Sequence, residues 1–335
     1  MDFVMLGHHL PVRTTLLALL SICATVTNPA HAQGPAEGAR SPHEDVPHLA
    51  IDSPRDNIIG EAIGDSSWDP LLIINTDRPD FTDVLITVGD GVWQLESGYS
   101  FKRHREPGAN YSRHQLPEGQ MRLGVGKRFE FRVRFDGYLL PDATWRPGAE
   151  RTNVLGADST VGFKWVAFEQ QNWIPQLTLM GLLAYRYADP DLVVSGLQPG
   201  LNAIYGWQIN KWLVFRASTG LEFMRKQRIE PKADGTPGDD GPVRSTPEIR
   251  QSLVAYWQIA KRLGAYTEWF ASFTRGDVHE DQHNVGVGLY IYLTPNVQLD
   301  LRYGGTVSGA VKDEFMGIGF STRGHMFQST PAPGH

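Results

Sequence analysis

Arg128-Phe129-Glu130-Phe131-Arg132-Val133-Arg134-Phe135 is the stretch whose reading decides the fold. In an extended chain successive side chains point to opposite faces. Phe129, Phe131, Val133 and Phe135 therefore share one face, and Arg128, Glu130, Arg132 and Arg134 the other. A soluble barrel would turn the apolar face inward. A membrane barrel turns it outward to lipid and keeps the charges in a wet lumen.

The same alternation recurs along the chain. Trp93, Leu95, Tyr99 and Phe101 oppose Gln94, Glu96 and Ser100. Val161, Phe163 and Trp165 oppose Thr160, Gly162 and Lys164, and Val297, Leu299, Leu301 and Tyr303 oppose Gln298, Asp300 and Arg302. It is weak over Ile174–Arg186, Leu197–Ile209 and Leu263–Arg275. Between Val92 and Arg323 about twelve strand-length stretches follow one another. Their connectors alternate in length. Lys102–Gln115, Pro141–Leu155, Tyr187–Gly196, Arg225–Pro247, Gly276–Gln282 and Gly305–Asp313 read as long ones. Those near Gly126–Lys127, Glu169–Trp173, Asn210–Lys211, Ala260–Arg262 and Thr294–Asn296 are short. An antiparallel barrel in an outer membrane has this form, with tight periplasmic turns and longer external loops. The expected fold class is therefore all-β, an antiparallel transmembrane β-barrel of about twelve strands. Trp93, Phe101, Trp165, Trp173, Trp207, Trp212, Trp269, Tyr290 and Tyr292 stand near strand ends, where an interfacial aromatic belt belongs.

Composition agrees. Mean hydropathy is -0.29, and no apolar run reaches the roughly 18 residues of a membrane helix. The net charge of -6, without a concentrated basic patch, argues against a nucleic-acid partner. The N-terminus reads as a signal peptide over 1–32: Arg13, the apolar run Leu16–Ala24, then the small-x-small site Ala30-His31-Ala32. The lone cysteine, Cys23, lies inside it, so no disulfide or thiol mechanism is expected after cleavage. Residues 33–87 read as a flexible periplasmic segment, poor in core-forming side chains at first and more apolar from Trp68 to Thr87, where it can plug the barrel in part. The barrel is expected over 88–323 and a C-terminal tail over 324–335.

Ile74-Asn75-Thr76-Asp77-Arg78-Pro79-Asp80-Phe81-Thr82-Asp83, then Gln94-Leu95-Glu96-Ser97-Gly98-Tyr99, then Val161-Gly162-Phe163-Lys164-Trp165 form a series that resembles the outer-membrane β-barrel family named for the MetA pathway of phenol degradation. The resemblance spans roughly Ile74 to Arg323. It implies a channel or transporter in the outer membrane of a Gram-negative-type bacterium, passing small hydrophobic or aromatic molecules. One departure is the tail beyond Arg323, where such barrels usually end on a strand with a terminal aromatic. The partners expected are outer-membrane lipids, the barrel-assembly machinery and a small-molecule solute, with no oligomeric state indicated.

The candidate site is the lumen. Arg122, Arg132, Arg134, Lys164, Arg216, Arg250 and Arg302 stand on the predicted inner face with Glu96, Glu130, Glu222, Glu268 and Asp300. Mixed charges of this kind suit a pore lining that filters solutes. They also suit cross-strand ion pairs that brace a narrow barrel. Asp77, Arg78 and Asp80, just before the first strand, suit a periplasmic latch onto those charges or a solvated turn around Pro79. His279-Glu280-Asp281-Gln282-His283, His104 and His114 are placed in external loops, where no spacing fixes a metal site. No metal, cofactor or catalytic residue is expected, because no nucleophile–base–orienter pattern is present. A non-conducting structural or adhesion barrel is the alternative function, and an outer-membrane enzyme a third.

Overall fold

The computed structural model describes residues 73–78, 80–106, 109–141, 158–186, 196–231, 237–275 and 280–326. The expected signal peptide, the segment up to Leu72, most of the Pro141–Leu155 connector, His279 and most of the C-terminal tail lie outside the described residues.

Among the described residues thirteen strand segments form one antiparallel sheet. They are β1 (Val92–Glu106), β2 (Ala109–Val125), β3 (Phe129–Phe135), β4 (Tyr138–Pro141), β5 (Ser159–Phe168), β6 (Gln176–Arg186) and β7 (Gly196–Asn210). There follow β8 (Leu213–Pro231), β9 (Pro237–Ala260), β10 (Leu263–Thr274), β11 (Glu280–Thr294), β12 (Val297–Ser308) and β13 (Lys312–His325). β3 and β4 occupy a single wall position, pairing with successive parts of β2 on either side of Gly137, whose φ of 77° marks the break. The sheet closes where β1 meets β13, in register from Val92↔His325 to Arg105↔Lys312. The result is a closed barrel of twelve wall positions.

Both ends of the wall lie beside the short turns. The Ile74 amide donates to the Pro295 carbonyl at 2.7 Å, and the Met326 amide to that of Gly91 at 2.8 Å. Burial is inverted relative to a soluble protein. Phe131, Val133, Phe163, Leu253, Val287 and Ile318 are exposed on the outer face, while Arg122, Glu130 and Lys164 are buried inside the wall. Apolar surface in water costs roughly 25 cal/mol per Å², so a continuous apolar exterior belongs in lipid. Phe168, Trp173 and Trp212 stand exposed at the short-turn end, where an interfacial belt forms.

Three expectations need correction. Tyr290 and Tyr292 are not belt residues. They are buried in the lumen with Ile73, Ile74, Val254 and Tyr266, because Val285, Val287 and Leu289 take the lipid face of the same strand. Several expected loops are strand instead. β1 and β2 stay paired through Glu106↔Ala109, and β8 and β9 through Pro231↔Pro237, so the long connectors expected at Lys102–Gln115 and Arg225–Pro247 are mostly ladder. Strands that leave the bilayer face water on both sides and lose the alternation that marks them. His104 and His114 accordingly lie in β1 and β2, where His104 pairs with Asp313 at 2.8 Å and His114 with the Tyr99 hydroxyl at 2.7 Å.

Candidate functional site: a charged lumen around an inner segment

Residues 73–78 and 80–88 run inside the wall. Their backbone lacks a ladder of its own, so its polar groups are met by lumen side chains. Glu96 accepts from the Arg78 amide at 2.9 Å, Glu130 from that of Val88 at 3.0 Å, and Glu268 from those of Phe81 and Thr82 at 2.8 and 2.7 Å. Lys164 and Gln176 donate to the carbonyls of Val84 and Leu85, and Arg122 to that of Asn75.

Asp77 is the hub. Its carboxylate lies 3.0 Å from the Arg132 guanidinium, 3.5 Å from Arg122 and 3.5 Å from the Lys164 ammonium. Gln120 and the Val84 amide each donate to it at 2.8 Å. Burial alone would raise this carboxyl, yet Arg122, Lys164 and Arg132 together hold it well below the ordinary carboxylate range. Glu130 completes the network with a two-pronged pair to Arg122, at 2.9 and 2.8 Å, and a contact to Arg132 at 2.6 Å. Arg132 also pairs with Asp83 at 2.8 Å, so each buried cation here faces a carboxylate, the condition under which buried charge is tolerated.

Asp80 pairs with Arg216 at 2.6 Å. Arg78 bonds Glu118 and lies 3.9 Å from Asp300, which is fully buried, and Arg302 reaches Glu118 at 3.1 Å. Each of these segment charges thus meets lumen charges of the opposite sign. Nearer the long connectors the pattern loosens. Arg134 is largely exposed and pairs with Asp136 at 2.5 Å, and Arg250 bridges Glu222 and Glu248 at 2.6 and 2.8 Å. Among the described residues no group of three His, Cys, Asp or Glu side chains converges on a metal position.

Above the segment lies a cavity of about 500 Å³, bordered by Arg78, Phe81, Glu222, Arg250, Phe270 and Phe315 among others. Several of these are absent from the charge-based reading. Glu118 sits where β2 is irregular, so its face was not readable from alternation. Phe81 belongs to a segment without periodicity. Phe315 faces inward because Met316, Ile318 and Phe320 take the lipid side of β13.

A family model described as "Putative MetA-pathway of phenol degradation" matches residues 76–324. The chain belongs to this family. The match opens at Thr76, so the family signature takes in the inner segment as well as the wall. The fold is similar to that of an outer membrane channel from Pseudomonas putida F1, with TM-score 0.53 and 10% identity over 75% of this chain and 100% of that one. At that identity the likeness concerns the fold of this family member alone. The NanC porin (TM-score 0.46, 10% identity, 69% of this chain and 98% of that one) and the CymD monoaromatic hydrocarbon channel (0.40, 9%, 72% and 90%) are more distant in shape. No curated protein matches the chain in sequence.

Proposed function

We propose that this chain is a passive outer-membrane channel for small molecules, including hydrophobic or aromatic compounds, and that residues 73–88 set its bore. The observation that carries the proposal is the stack inside the barrel: a cavity of about 500 Å³ resting on a segment held by side chains rather than by a β-ladder. Such a segment shifts without breaking the wall. The cationic and acidic lumen side chains would filter solutes by charge, and Asp77, Arg78 and Asp80 would act as the latch. In this reading residues 1–32 direct export, lipid surrounds the wall, and the barrel-assembly machinery inserts it. No part of the reading requires bond-breaking chemistry in the lumen.

Single-channel recording of the refolded chain in a planar bilayer tests this. Discrete steps that grow when residues 33–88 are deleted are expected. A folded, heat-modifiable barrel that gives no steps with or without the segment would overturn the channel in favour of a structural barrel.

A further inference from the structure

The cavity above the inner segment has two unlike halves. One is aromatic. The Phe81 ring stacks on Phe270 with centroids 3.8 Å apart and planes 25° apart, and meets Phe315 edge-on at 5.5 Å. Phe81 is 41% exposed although Asp80 and Thr82 on either side are buried, and its amide is held by Glu268. The ring is therefore fixed, and it presents apolar surface to the cavity.

The other half is cationic. Phe315, Lys102 and Arg113 are neighbours in register across β13, β1 and β2, and all three border the cavity. The side chains of Lys102 and Arg113 make no hydrogen bond or ion pair with any described residue. Glu118 and Asp136, the acids of this wall, are engaged by Arg78 with Arg302 and by Arg134. Arg302 joins the halves, its guanidinium carbon 5.7 Å from the Phe81 ring centre and 5.9 Å from that of Phe315. Two adjacent cations whose nearby acids are paired elsewhere repel each other until an anion sits between them, and a carboxylate fits two such donors well.

We infer that this cavity is a binding site for small aromatic carboxylates, the ring lying on Phe81 and Phe315 and the carboxylate between Lys102 and Arg113. The inference rests on the channel reading and names the solute class. It separates carboxylates from the phenols of the family's description. A phenol, with a pKa near 10 like that of tyrosine, is neutral at pH 7 and engages only the aromatic half. An aliphatic carboxylate engages only the cationic half.

Equilibrium binding of benzoate, phenol and acetate to the refolded chain in detergent, followed by calorimetry, tests the assignment without needing conductance. Benzoate is expected to bind at least about tenfold more tightly than either of the others, the scale of one charge-assisted hydrogen bond. The Lys102→Gln/Arg113→Gln double variant should bring benzoate down to phenol and leave phenol unchanged. Phenol binding as tightly as benzoate, acetate binding as tightly as benzoate, or no binding of any probe would each overturn the site. These comparisons use the unaltered chain, so a variant that fails to fold does not blunt them. Benzoate selectivity in a barrel that never conducts would leave the site standing and remove the channel.

Discussion

At the scale of the residue, Asp77 is where the barrel interior is most finely balanced. Asparagine keeps its shape and removes its charge, taking from Arg122, Arg132 and Lys164 the one carboxylate that all three share and leaving Glu96, Glu130 and Asp83 around them. Breaking a buried pair on one side costs about 3 to 5 kcal/mol, so Asp77→Asn is expected to loosen the inner segment and enlarge single-channel steps. Acid does the same by another route. The docked carboxyl titrates below its free value of about 3.9, so its contribution to docking is complete at neutral pH. That contribution fades as pH falls below about 4 toward the lowered value. Conductance recorded against pH should rise in that window for the unaltered chain. Asp77→Asn should lack this component, and identical profiles for the two would rule Asp77 out as its source. The side of the wall taken by Arg122 or Lys164 is legible in the sequence, because aromatic and β-branched neighbours claim the opposite face. The partners of those cations are not legible. Asp77 lies outside any periodic stretch, and the three cations around it, Arg122, Arg132 and Lys164, stand 45 or more positions away in sequence.

At the scale of the element, alternation reads well where one face meets lipid and the other meets charge, as in β3 and β5. It fails for two physical reasons. β10 carries Tyr266 and Phe270 inward, since the inner segment gives them apolar partners, so both of its faces look alike. The outer ends of β1, β2, β8 and β9 face water on both sides and look like loop. Small residues mark a third kind of constraint. A side chain at Gly98 would run into the Arg78 guanidinium and the Ile318 carbonyl, at the point where the β1–β2 register shifts. Gly98→Val is therefore expected to push Arg78 off Glu118 and cost about 1 to 3 kcal/mol, visible as a lower urea midpoint for refolding into lipid vesicles. An unchanged midpoint would mean that Arg78 can be displaced without loss.

At the scale of the whole molecule, the inverted burial makes a prediction that a soluble barrel would not share. Val287 is 52% exposed near the middle of β11. Val287→Arg should destabilise the protein in vesicles by about 2 to 4 kcal/mol, the depth-dependent cost of a cation facing lipid. On a water-facing surface the same change stays within about 0.5 kcal/mol, so a neutral result by urea titration would refute the membrane orientation. The closing seam has a consequence in time. β1 completes its pairing only with β13, and the inner segment reaches even further along the chain: Thr82 bonds Glu268 across 186 positions and Gln298 bonds Thr76 across 222. Pairing over such separations is slow, because the ends must find each other before any contact rewards them. Residues synthesised ahead of every strand are thus among the last to be seated, and the stretch that fills the barrel has to wait in solution until the final strand gives it walls.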